Sequence, residues 1–105
     1  MDHIAKIAPQ LPEYGLDAML ITSAPGERYA VGFEGEGWVL VSREGAHYST
    51  DGRYIEAARK QVTGTEIVLA ERGRSHLDLA REEIRRRGLK RVGFESGQVS
   101  VDELE

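Results

Sequence analysis

Apolar residues along this chain recur first at helical spacing, then crowd into short runs, then return to helical spacing. A period that switches in this way predicts alternating helices and strands. Ile4, Ile7, Ala8 and Leu11 make a helical stripe over residues 2–14. Pro9 and Pro12 disturb it, because each removes a backbone donor and crowds the preceding turn. The helix there is expected to be short, late or kinked, and Gly15 ends it. Leu16 to Thr22 is an apolar run between that glycine and a Ser-Ala-Pro-Gly breaker, which reads as a buried strand. Residues 25–33 predict a turn or two of helix, with Pro25 tolerated at the first position and Gly32 as the stop. Trp38 to Val41 and Ala46 to Thr50 flank Ser42-Arg43-Glu44-Gly45, the pattern of a hairpin whose turn carries a glycine.

Asp51 stands where a helix N-cap belongs, its carboxylate able to accept the backbone N–H of Arg53 or Tyr54. Tyr54, Ile55, Ala58 and Val62 share one helical face, with Gly64 as the stop. Thr65 to Ala70 reads as a strand. Ser75 and Asp78 resemble a capping box opening a helix through Leu77, Ala80 and Ile84 to Gly88. Arg91 to Glu95 is the last predicted strand. Strand–helix–strand–helix–strand order in the second half demands parallel pairing. The expected fold class is α/β, a mixed five-stranded sheet flanked by helices. Ser100-Val101-Asp102-Glu103 is a further capping-box pattern, yet the sequence stops at Glu105, too soon for a stable helix. The chain therefore reads as a fragment cut just after its last strand.

Length and charge narrow the function. One hundred and five residues make one domain, which buries roughly 60–65% of its unfolded surface. Fourteen Lys and Arg against eighteen Asp and Glu leave a net charge of −4, which argues against general binding to nucleic acid or anionic membrane. Cysteine is absent, so disulfides, thiol catalysis and thiolate metal sites are excluded together. No run approaches the ~20 apolar residues of a membrane span. Asp2 and His3 stand where a basic lead into a signal peptide would be. A cytoplasmic location is the expectation.

Few constellations carry chemistry. His3, His47 and His76 are scattered, with no helix-borne ligand spacing, and read as ordinary surface or satisfied histidines. There is no nucleophile elbow and no Walker loop. Gly32-Phe33-Glu34-Gly35-Glu36-Gly37 is glycine-rich, but Glu34 and Glu36 would repel a phosphate. Arg85, Arg86 and Arg87 fall in the last turn of a predicted helix, where cations complement the macrodipole and Glu82 and Glu83 can pair with them. Arg53 gains nothing from helix energetics in a first turn. Either a nearby carboxylate holds it or it serves a ligand carboxylate, and the structural pair is favoured. Glu95 has the same ambiguity, with a capping or buried hydrogen-bonding role favoured. Trp38 and Phe94 are expected in the core. A magnesium-dependent nuclease would need a carboxylate cluster that Asp51 and Glu95 alone cannot supply.

Four motifs in order carry a resemblance: Gly15 to Thr22, Tyr29-Ala30-Val31-Gly32-Phe33, Thr50-Asp51-Gly52-Arg53-Tyr54, and Val92-Gly93-Phe94-Glu95. Together they resemble the N-terminal domain of the creatinase/prolidase/Xaa-Pro aminopeptidase family over residues 4–105. The resemblance implies a ribonuclease-H-like α/β fold, here truncated at its C-terminus, in which Tyr29, Gly32, Asp51, Tyr54, Gly93 and Glu95 are structural motif positions. Gly26 and Glu27 depart from the family pattern, which has an Asn and an apolar residue before its Arg-Tyr pair. Ala30 and Val31 depart from it too, and Glu34 and Glu36 stand where small or hydroxyl residues are common.

The resemblance also implies a division of labour. Parent enzymes carry two divalent metals, manganese, cobalt or zinc, in a separate pita-bread catalytic domain whose ligands have no counterpart here. No cofactor is therefore expected in this chain, and no catalytic residue. Its implied role is to supply homo-oligomer contacts and to narrow the entrance taken by short proline-containing peptides, with Phe33, Glu34, Gly35, Glu36 and Arg53 as the entrance candidates. The alternatives are a free-standing module binding a peptide or carboxylate, and a domain of a creatinase-like amidinohydrolase.

Overall fold

The computed structural model describes residues 4–43, 45–63, 65–71, 73–94 and 97–100. The described residues begin with α1 (Ile4–Ile7), which tightens at once into a 3₁₀ helix over Ala8–Tyr14. The two prolines explain the change. Pro9 lies in the first turn of the 3₁₀ segment and Pro12 inside it, where neither can donate to an α-helical ladder. Gly15 closes the segment at φ 69°, its N–H returning to the carbonyls of Leu11 and Pro12.

The strands are β1 (Ala18–Ile21), β2 (Trp38–Ser42), β3 (Gly45–Thr50), β4 (Thr65–Leu69), β5 (Arg91–Phe94) and β6 (Gly97–Ser100). Between them lie α2 (Ala24–Val31), α3 (Ile55–Gln61) and α4 (His76–Arg87). All six strands form one sheet in the order β4-β3-β2-β1-β5-β6. The meander β1-β2-β3 is antiparallel, while β3–β4 and β1–β5 pair in parallel. The five predicted strands are all present and the sheet is mixed, as expected. The sixth, β6, was not foreseen: it pairs antiparallel with β5, and Ser100, read as a helix cap, instead faces Arg91 at the end of this strand. The other residues of that capping pattern, like Gly64 and Glu95, lie outside the described residues.

Side-chain alternation divides the interior into two layers. Ile21, Val39, Val41, Ala46 and Tyr48 point to one face, where they meet Ile4 of α1, Ala30 and Val31 of α2, Ala58 of α3 and Val62 just after it. Ala18, Leu20, Leu40 and Val92 point to the other, where α4 lays Ala80 and Ile84 across them with Trp38, Leu89 and Phe94 at the margin. Helix α4 carries the chain from edge strand β4 over the sheet to β5. Asp17 secures that return, its Oδ2 accepting the N–H groups of Lys90 and Arg91 at 2.9 Å each. Those two bonds hold the Asp17 carboxyl below its usual range.

Candidate functional site

Helix α2 aims the chain into the loop of interest. Ser23 caps it, its Oγ accepting the N–H of Gly26 at 3.1 Å. Gly32 ends it at φ 72°, a left-handed turn for which glycine is suited, and so starts the segment 33–37. Glu27, Ala30 and Val31 form the buried face of this helix. A carboxylate among alkyl groups is costly unless donors meet it, and Glu27, 1% exposed, meets three. Its Oε2 accepts the N–H of Gly37 at 2.8 Å, the N–H of Gly35 at 3.1 Å, and the hydroxyl of Tyr48 from β3. Burial and this carboxylate together push the Tyr48 phenol up from its ordinary pKa.

The loop is fastened on its other side as well. Thr50 Oγ1 donates to the carbonyl of Gly35 at 2.7 Å. Both glycines lie too close to β3 for a side chain. A Cβ at Gly37 would stand 2.1 Å from the carbonyl oxygen of Ser49, and one at Gly35 2.9 Å from the Tyr48 hydroxyl. Glu36, between them, takes a positive φ of 50°, and no other non-glycine residue among those described does so. Its carboxylate reaches out to the guanidinium of Arg53.

Arg53 sits in the turn after β3. Asp51 Oδ1 accepts the Arg53 N–H at 2.9 Å, and Oδ2 accepts from its guanidinium at 2.7 Å. This hydrogen-bonded guanidinium keeps the Asp51 carboxyl below its usual range. Asp51 thus accepts from Arg53 as the sequence predicts, but α3 begins later, at Ile55, with Tyr54 in the N-cap position. The Arg53 guanidinium lies 5.1 Å from the centre of the Tyr54 ring and its side chain stays 67% exposed.

The entrance candidates therefore divide by placement. Glu36 and Arg53 meet at the surface. Glu34 is exposed and turned to Arg28, 3.6 Å away. Phe33 is half-buried against the core, and Gly35 is buried beneath Tyr48 and Thr50. Of the motif residues, Tyr29 is exposed, while Gly93 lets Leu16 pack where a Cβ would come within 2.6 Å of it. Sequence reasoning missed Glu27 and Tyr48. The available signal was a carboxylate three and four positions before Ala30 and Val31, on an apolar stripe where charge must be paired.

The α4 side holds two further histidines. His76 Nδ1 shares a 2.8 Å hydrogen bond with Ser49 Oγ, and its ring stacks on Trp38 at 5.8 Å. His47 is buried beside α4. Burial pushes both rings below the usual imidazole pKa. Among the described residues no group of three or more His, Asp or Glu side chains comes together to hold a metal ion. The donor set described here does not fit a dinuclear centre.

Comparison with known proteins agrees with this architecture. The family described as the Creatinase/Prolidase N-terminal domain matches residues 3–105. The uncharacterized peptidase YqhT of Bacillus subtilis is 37% identical over 98 residues, covering 92% of this chain and 27% of that protein. A Xaa-Pro dipeptidase from Bacillus anthracis superimposes with a TM-score of 0.80 at 34% identity, over 89% of this chain and 26% of that one. The N-terminal domain of the cytoplasmic peptidase PepQ from Mycobacterium tuberculosis gives a TM-score of 0.78 at 37% identity, over 97% of this chain and 78% of that one. The chain thus spans about a quarter of the longer relatives, and it belongs to the creatinase/prolidase N-terminal domain family.

Proposed function

We propose that this chain is the non-catalytic N-terminal domain of a two-domain Xaa-Pro aminopeptidase or dipeptidase. In that protein it supplies oligomer contacts and one wall of the substrate entrance. Bond cleavage and the two divalent metals, manganese, cobalt or zinc, belong to a catalytic domain further along the chain. The observation that carries this reading is the loop 33–37, fastened to the sheet from two sides and presenting Glu36 to Arg53 at the surface. A rigid wall of this kind selects short proline-containing peptides by size and excludes water, without touching the reacting bond. A cytoplasmic setting accords with a chain free of cysteine.

A free-standing carboxylate-binding module is less well supported, since Asp51 and Glu36 already occupy the Arg53 fork. The test is direct. The purified 105-residue chain is expected to leave Xaa-Pro dipeptides intact, and the same domain joined to its catalytic partner to cleave them. Turnover by the short chain, abolished by a chelator, would overturn the reading. In the joined protein Arg53→Ala is expected to raise KM while leaving kcat nearly unchanged.

A further inference from the structure

We propose that Glu27 is the positioning residue of the entrance loop, setting from inside the fold where Glu36, and through it Arg53, stand at the surface. The consequence for substrate rests on the entrance reading above; the positioning does not.

Three observations carry the proposal. The bonds that hold the loop flank Glu36 on both sides, at Gly35 and Gly37, and converge on one oxygen of one buried side chain. Glu36 itself holds a backbone conformation that residues with a side chain rarely adopt, so it needs restraint from its neighbours. Gly37 also approaches the β3 backbone more closely than any other residue type would permit, and Gly35 packs directly on the side chains of Phe33, Tyr48 and Thr50, so the fit depends on contact with β3. An apolar residue at position 27 would leave two backbone donors and the Tyr48 hydroxyl without their shared acceptor. The path from the interior to the surface is then continuous: Glu27 to the two glycines, to Glu36, to Arg53, to Asp51.

Amide hydrogen exchange in the 105-residue chain tests the positioning. With Glu27→Leu, the Gly35 and Gly37 amides are expected to exchange at least about tenfold faster, measured against Val39 and Val41 of β2. Glu27→Gln, which keeps the shape and one acceptor oxygen, should restore part of that protection. Tyr48→Phe removes one donor and leaves the two amide bonds, so exchange at these glycines should stay within about twofold of the parent. Unchanged exchange at both glycines in folded Glu27→Leu, or in Glu27→Gln where the leucine variant does not fold, overturns the proposal. In the full-length protein Glu27→Gln should raise KM for short proline-containing peptides about threefold or more, with kcat within about twofold. Faster exchange with an unmoved KM would uphold the positioning and remove the entrance reading instead.

Discussion

Glu27 and Glu83 are both buried carboxylates, and they are compensated in different ways. Glu27 is met by neutral donors, two amides and a phenol. Glu83, 6% exposed, is met by the guanidinium groups of Arg86 and Arg87, which hold its carboxyl down at about 2. Arg87 also donates to Ser42 Oγ at 2.7 Å, so the pair ties α4 to the end of β2. A folded-state pKa below the unfolded value of about 4.3 means stability that is present above that value and lost as pH falls through 2. Glu83→Gln is therefore expected to destabilise the domain at pH 7 by about 2 kcal/mol, a figure discounted because Arg86 is largely in solvent. The gap from the parent chain should shrink between about pH 5 and 2. Urea unfolding at pH 7 and pH 3 measures it; a gap that stays constant would mean the two arginines do not act through charge.

Glycine offers a second contrast at the same scale. Gly52 has open space around its Cβ direction, whereas Gly37 would drive a methyl into Ser49 and Tyr48. Gly37→Ala is expected to cost about 2–3 kcal/mol, and Gly52→Ala to stay within about 0.5 kcal/mol. Chemical denaturation of the two variants side by side decides whether closeness to β3, rather than glycine as such, is what the loop requires.

Among the elements, α4 was the most legible, because its signals are local and agree. Ser75 Oγ accepts the Asp78 N–H at 3.1 Å while the Asp78 carboxylate accepts the Ser75 N–H at 3.0 Å, and Gly88 ends the helix in the left-handed region. Ser75→Ala is expected to remove about 1 kcal/mol and lower the melting temperature by about 4–8 °C, read by circular dichroism. Strand β6 lacked such signals. Gly97-Gln98-Val99-Ser100 has one apolar residue and no alternation, so its pairing with β5 could not be read from hydrophobic pattern. A capping motif beginning at Ser100 pointed elsewhere. The site divides along the same line. Arg53 with Asp51 is a contact between residues two apart, within reach of spacing arguments. Glu36 with Arg53 spans 17 positions and Glu27 with Gly37 spans 10. Those contacts exist only once α2, the loop and β3 are stacked, so residue order alone did not reveal them.

At the scale of the molecule, the stability of the centre depends on a strand distant in sequence. Strand β1 lies between β2, its neighbour in sequence, and β5, some seventy positions away. Without β5 one edge of β1 would lose its hydrogen-bonding partner. The α4 layer would also lose Val92, wholly buried, along with Leu89 and Phe94 at its rim. Burying a valine side chain is worth about 1.5–3 kcal/mol, and the backbone ladder and the two partly buried side chains add to it. A domain of this size has only about 5–15 kcal/mol in reserve. A chain ending at Gly88 should therefore keep helical circular dichroism but lose its near-ultraviolet signal and cooperative melting, and bind a hydrophobic dye. If it instead melts cooperatively within about 5 °C of the full chain, then the meander β1-β2-β3 with α4 is a self-sufficient unit, and the parallel pairing of β1 with β5 is an addition to the fold rather than a condition for it.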